Sequence, residues 1–282
     1  MNIQIELNNE SSIPLKILSF SGGEQHVQIS EVKNRVTGVN IRASVRSAND
    51  LMSLLLVENA LRQRYGEALK INLELPYLPY ARQDRVCALG QAFSLEVMAR
   101  LLEQMRLNQL VVWDCHSDIG LALTGASNIS PATIIQTDSE LAALLREEST
   151  VLICPDQGAV GRCRDIQETL NLAPFVQCRK HRNPSTGHIG HVEVISSDLA
   201  GKTVVITDDI CDGGRTFIQL AQQLRQKQVE HIVLYVTHGI FSRGLAVFDG
   251  LIDQIVTTNS LPFPYNPKLR TINFKYAFGD LS

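Results

Sequence analysis

The chain has 282 residues, 44% of them apolar and 20% charged, with 26 basic against 29 acidic side chains for a net charge of −3. That length is a prior for about two domains, and the composition supports a packed core rather than disorder. It excludes a global basic field for nucleic acid and an apolar run near the ~20 residues of a membrane span. Six cysteines occur singly, without a CxxC pair, which reads as reduced thiols and gives no zinc-ligand spacing. The opening MNIQIELNNE has neither the basic start nor the apolar stretch of a secretory signal, so a cytoplasmic protein is expected, with no nucleic-acid or membrane partner.

In chain order, GVNIRAS at 38–44 predicts a strand. Residues 49–65 carry Leu51, Leu54, Leu55, Ala60 and Leu61 at helical spacing. ALKINLEL, a helix at 94–105 and NQLVVWD follow. The second half repeats the rhythm: TVLICPD (strand), 158–171 (helix), APFVQC and VEVI (strands), KTVVITDD (strand), TFIQLAQQLRQ (helix) and HIVLYVTH (strand). Asp138 and Ser139 are placed to cap a helix at 139–147. The alternation predicts an α/β protein with mainly parallel sheets, in two similar domains at 1–137 and 138–282. The run VVIT, apolar without alternation, suits a central strand buried on both faces.

The most informative segment is TVVITDDICDGGRTF at 203–217. A strand ends in Asp208 and Asp209, a turn carries Asp212, Gly213, Gly214, Arg215 and Thr216, and a helix begins. A glycine turn lets the backbone approach a phosphate, and the helix adds unpaired N–H groups and a favourable dipole. Two adjacent carboxylates repel a bare phosphate, so they require another partner: ribose hydroxyls, a metal ion, or both. An ordinary turn with a capping Asp is the plain alternative for the glycine pair alone. This loop resembles the phosphoribosyl-pyrophosphate binding loop shared by type I phosphoribosyltransferases and ribose-phosphate diphosphokinases.

Other segments separate those two families. PYLPYARQDR at 76–85 gathers Arg82, Gln83, Asp84 and Arg85 directly after a strand, and two guanidiniums are suited to grip a polyphosphate. As a string, YARQDR resembles the ATP-binding segment of ribose-phosphate diphosphokinases. VVWDCHSD at 111–118 ends a strand in Asp114, followed by His116 and Asp118. Alternate strand residues point the same way, so the three are expected to converge on a cation. The segment resembles the family's Asp-Leu-His-Ala stretch, which implies a magnesium role for His116, with Asp114 a further candidate. VLICPDQGAVGRCR at 151–164 resembles the family's Pro-Asp-x-Gly segment and implies a metal position for Asp156; read alone, Asp156 is a helix cap. Arg162 and Arg164 are expected to face a phosphate or a subunit contact. RKHRNPSTGHIG at 179–190 is a basic loop, and Lys180 and Arg182 resemble the family's catalytic-loop Lys and Arg. FSGGEQHVQI at 20–29, a hairpin on any reading, resembles the family's ATP-contacting segment and implies such a role for Gly23 and Glu24 across a subunit interface.

The resemblance runs colinearly from about residue 18 to about residue 275. It implies a phosphoribosyltransferase-like α/β fold in both halves, with ATP on the N-terminal side and ribose phosphate on the C-terminal side. It also implies a magnesium-dependent, homo-oligomeric transferase of nucleotide biosynthesis. Its reaction would pass the diphosphoryl group of ATP to ribose 5-phosphate, giving phosphoribosyl pyrophosphate and AMP. The departures are Gly22 for the family's Asp, VCALGQAF after Arg85, Asn183 for an Arg, and Arg215 for a Gly. Arg215 leaves open a larger acceptor with a substituted 5-phosphate, such as ADP-ribose. The remaining alternatives are a phosphoribosyltransferase, which YARQDR and the Lys180 loop oppose, and an inactive regulatory homologue, which the intact acidic pair opposes.

Overall fold

A computed structural model describes residues 2–7, 11–32, 36–182, 189–194 and 198–279. The chain divides into two compact units, Met1–Ile129 with Lys275–Ser282, and Ser130–Phe274. The division thus falls a few residues before the expected 137/138, and the last residues return to the first unit.

The first unit opens with β1 (Asn2–Glu6), then a hairpin of β2 (Leu15–Ser19) and β3 (Gln25–Ile29). Next come β4 (Gly38–Ser44), α1 (Ala48–Tyr65), β5 (Lys70–Leu75), α2 (Ser94–Gln104), β6 (Gln109–Trp113), α3 (Asp118–Thr124) and β7 (Ser127–Ile129). One sheet has the order β1-β4-β5-β6-β7, with β1 antiparallel and the other neighbours parallel. α1 starts where the Ser47 hydroxyl accepts from the Asp50 N–H while the Asp50 carboxylate accepts from the Arg46 N–H, a reciprocal cap of the Ser-x-x-acid type. Its apolar stripe, Leu54, Val57 and Leu61, is fully buried with Val39, Ile41, Ile71 and Leu73 of the sheet, as the helical spacing requires.

The second unit contains α4 (Pro131–Gln136), α5 (Ser139–Arg146), β8 (Thr150–Cys154), α6 (Val160–Leu170), β9 (Val176–Arg182), β10 (Ile189–Val194), β11 (Thr203–Cys211), α7 (Arg215–Gln226), β12 (His231–Gly239), β13 (Gln254–Thr258) and β14 (Leu269–Ile272). The sheet order is β10-β9-β8-β11-β12-β13-β14, parallel except for the β9–β10 pair. Asp138 caps α5 by accepting from the Leu141 N–H at 2.8 Å. β11 lies at the centre between β8 and β12, and Val204, Val205, Ile206 and Thr207 are all fully buried, the two-sided burial that a run without alternation calls for.

Candidate active site

The order of the second sheet locates its crevice. β8 leads through α6 to β9 on one side, and β11 leads through α7 to β12 on the other. The connections therefore diverge between β8 and β11, and in open α/β sheets ligands bind at such a switch point, beyond the carboxyl ends of the strands. β8 pairs with β11 only as far as Ile153 opposite Ile206. β11 continues to Cys211, so Asp208 and Asp209 stand past the point where β8 turns away.

These two carboxylates are largely buried, and Arg162 of α6 faces both. Its Nη1 is 3.5 Å from Asp208 Oδ1 and its Nη2 is 3.8 Å from Asp209 Oδ2. Burial and the neighbouring Asp209 charge hold the Asp208 carboxyl well above the usual range, against the opposing pull of Arg162. Arg162 was expected at a phosphate or a subunit contact; it faces the acidic pair instead, because one helical turn past the 156–159 loop brings it over β11.

The turn after β11 requires its glycines. Gly214 has φ +75°, a left-handed conformation, and a Cβ there would stand 2.5 Å from the Phe248 ring. Asp212, Gly213, Gly214, Arg215 and Thr216 thus form a tight turn into α7, with Arg215 exposed at its first position. On the neighbouring strand end, Asp156 Oδ1 accepts from the Gly158 and Ala159 N–H groups at 2.8 and 3.2 Å, so the capping role is real, and the carboxylate sits at the mouth of the same crevice. Beneath it, Cys154, Cys163 and Cys178 are buried free thiols. Burial pushes the Cys178 thiol up to about 12, which keeps it an inert packing group.

Lys180 and Arg182 lie at the end of β9; their side chains are outside the described ones, as is the whole of residues 183–188.

In the first unit, residues 76–85 follow β5 without helix, closed by turn bonds from Ala81 N–H to the Leu78 carbonyl and from Gln83 N–H to the Tyr80 carbonyl. Arg82, Gln83 and Arg85 are exposed. Asp84 is buried and grips the Arg85 guanidinium at 2.8 and 3.1 Å; that bond holds the Asp84 carboxyl below its usual range. The Asp84–Arg85 pair is therefore a brace, with Arg82 and Gln83 on the open side of the turn. Gly23, at φ +94°, and exposed Glu24 form the β2–β3 turn, where the Phe20 and Gly23 N–H groups bond to the Glu24 and Phe20 carbonyls, each at 2.9 Å.

The expected convergence of Asp114, His116 and Asp118 does not occur. β6 stops at Trp113, Asp114 adopts φ +39°, and Asp118 begins α3. Strand alternation ends at that residue, so Asp114 is buried while His116 and Asp118 are exposed. Among the described residues, no group of three His, Cys, Asp or Glu side chains is gathered to hold a metal ion. His116 lies near enough to Asp84 for its charge to favour the ionised carboxylate. None of the described helices is long and apolar enough to cross a membrane.

A mainly parallel sheet with an acidic pair and a glycine turn at its switch point defines an α/β domain whose crevice offers carboxylates for hydroxyl groups and a helix N-terminus for an anion. Residues 131–263 match the family described as the phosphoribosyl transferase domain, and residues 2–105 match the N-terminal domain of ribose phosphate pyrophosphokinase. The chain is 30% identical over 266 residues to the ribose-phosphate pyrophosphokinase of Thermococcus kodakarensis, covering 92% of this chain and 90% of that one. It is 30% identical over 272 residues to the enzyme of that name from Parasynechococcus marenigrum, covering 93% and 80%. In fold it resembles the crystal structure of phosphoribosylpyrophosphate synthetase from Mycobacterium smegmatis, with a TM-score of 0.76 at 22% identity, covering 93% of this chain and 87% of that one. The chain belongs to the ribose-phosphate pyrophosphokinase family and is an enzyme of that class.

Proposed function

We propose that the protein transfers the β,γ-diphosphoryl unit of ATP to the anomeric hydroxyl of ribose 5-phosphate, giving phosphoribosyl pyrophosphate and AMP. The observation that carries this reading is the pairing of Asp208 and Asp209 with the Asp212–Thr216 turn at the switch-point crevice. The carboxylates suit the ribose hydroxyls, and the turn N–H groups with the α7 N-terminus suit the 5-phosphate. The anomeric oxygen attacks the β-phosphorus in line. A new oxygen–phosphorus bond forms, the bond from the β-phosphorus to the bridging oxygen breaks, AMP leaves with that electron pair, and the hydroxyl proton passes to solvent. The work of the protein is positioning and charge neutralisation.

Lys180 and Arg182 are assigned to the charge on the transferring unit. Arg82 and Gln83 are assigned to ATP, with Asp84 and Arg85 bracing their turn. Gly23 and Glu24 are assigned to the ATP site of a neighbouring subunit in a homo-oligomer. His116, with Asp114 a further candidate, and separately Asp156 are assigned to Mg²⁺, an ion that takes one or two protein donors and keeps its waters and the oxygens of substrate phosphates rather than filling a protein cage. The ion would supply neutralisation of phosphate charge, and these residues would hold it.

A second reading keeps the chemistry and enlarges the acceptor to a ribosyl compound with a substituted 5-phosphate, such as ADP-ribose. It is favoured by Arg215, exposed at the rim of the phosphate turn. Incubating the protein with ATP, Mg²⁺ and each acceptor, and measuring AMP, tests both. AMP formed with neither acceptor would exclude both readings.

A further inference from the structure

Arg243 belongs to none of the segments that resemble the family motifs. It sits in the turn after β12, and main-chain bonds stitch that turn to the sugar-phosphate turn. The Ile240 and Phe241 N–H groups donate to the Cys211 carbonyl at 2.9 and 3.0 Å, and the Ser242 N–H donates to the Asp212 carbonyl at 3.2 Å. Phe241 anchors the segment in the core, edge-on to Phe263 with ring centroids 5.3 Å apart. As a result the Arg243 stem lies against Gly213: a methyl group built on Gly213 would stand 3.3 Å from Arg243 Cδ.

Arg215 and Arg243 thus both flank the Gly213–Gly214 turn. Both are exposed, and among the described residues neither is paired with a carboxylate, unlike Arg162, Arg225 and Arg270 of the same unit. On a chain of net charge −3 this is a local feature. Like charges beside one turn repel, and an anionic ligand relieves the repulsion. A monoester phosphate next to the ribose is met by the turn N–H groups and one guanidinium fork. A second fork, carried on a stem that lies against Gly213, is suited to anionic charge carried beyond that phosphate.

We infer that Arg243 is a specificity-determining residue of the acceptor site, and that the acceptors it selects are ribosyl compounds whose C5 oxygen bears a diphosphate, free or esterified. The inference rests on the acceptor site proposed above and names its substrate class. The reacting centre, the anomeric hydroxyl, is unchanged.

The test measures kcat/KM for ribose 5-phosphate and for ADP-ribose, by AMP release from ATP, on the wild-type protein, Arg243→Met and Arg243→Lys, with circular dichroism and the KM for ATP as controls of folding. Wild type is expected to use ADP-ribose at least as efficiently as ribose 5-phosphate. Arg243→Met is expected to lower the ratio of the two efficiencies about tenfold or more, the scale of one charge-assisted contact, and Arg243→Lys to lower it less. Should Arg243→Met fail to fold, Arg243→Gln is read the same way. An unchanged ratio, or a wild type that uses ribose 5-phosphate but not ADP-ribose, overturns the inference and leaves the proposed reaction standing. A wild type that releases AMP with neither acceptor overturns the reaction and the inference together.

Discussion

Arg162 Nη1 stands 3.5 Å from Asp208 Oδ1, joining a helix and a strand whose residues lie 46 positions apart in the chain. The contact is what allows two adjacent, largely buried carboxylates to face one crevice. Removing the cation leaves uncompensated charge, which costs about 3–5 kcal/mol for a fully buried pair and less at this partly open site. Arg162→Met is expected to lower stability in urea unfolding and to raise the KM for the acceptor with little change in the KM for ATP. Adding Asp208→Asn to the Arg162→Met protein is expected to recover part of the lost stability and none of the acceptor affinity. Because the Asp208 carboxyl is raised, its charge opposes folding increasingly as pH climbs through its folded-state pKa. The Asp208→Asn protein should therefore gain Tm relative to wild type above neutral pH and lose that gain near pH 4. An equal difference at both pH values would contradict the assignment.

Lys180→Ala is expected to lower kcat at least about a hundredfold, the scale of one transition-state charge contact. The KM for ATP should hold, since ATP is assigned to Arg82 and Gln83. Single-turnover kinetics separate the two effects, and near wild-type turnover would make Lys180 a surface charge.

Arg215→Gly is expected to raise the KM for ribose 5-phosphate about ten- to hundredfold, the equivalent of about 1.5–3 kcal/mol for a hydrogen bond to a charged group. Steady-state kinetics with ATP varied should show little change. A rise confined to ATP would move Arg215 out of the acceptor site.

Glu74 is a buried carboxyl on β5 that accepts from the Trp113 Nε1–H at 2.9 Å and from the Tyr276 N–H at 3.3 Å, while the Arg42 guanidinium stacks over the Trp113 ring at 4.8 Å. Burial raises its pKa above the usual value, so its contribution to stability falls as pH rises through that raised pKa. Glu74→Gln keeps the acceptor and is expected to match or exceed wild-type Tm above neutral pH. Glu74→Leu strands both N–H groups and is expected to cost about 1–3 kcal/mol, read by urea unfolding. Equal losses in the Gln and Leu variants would show that the charge, not the acceptor, holds the returning chain end.

Much of this was legible in the sequence, for physical reasons that can be named. β11 and α7 are announced by an unbroken apolar run, an acidic pair and a glycine turn, each imposed by local geometry. α1 follows from apolar spacing and α5 from a side-chain cap at Asp138. Other features are set by distant parts of the chain. β7 and α4 are three and six residues long, too short for a period to register. No local pattern tells that Lys275 and Tyr276 return to bond Glu6 and Glu74. Alternation misled at 114–118 because the positive φ of Asp114 ends the strand register. The partner of Arg162 and the approach of Arg243 to Gly213 both depend on sheet order, and a linear pattern carries no sheet order.

In the proposed reaction a diphosphoryl group moves intact from ATP to an anomeric hydroxyl. Phosphorus NMR on the protein with ATP, Mg²⁺ and ribose 5-phosphate, and in parallel with ADP-ribose, tests it directly. The expected result is AMP in equal amount to a new diphosphate signal on the anomeric oxygen of at least one acceptor. Formation of ADP with a singly phosphorylated sugar, or no AMP with either acceptor, would contradict it.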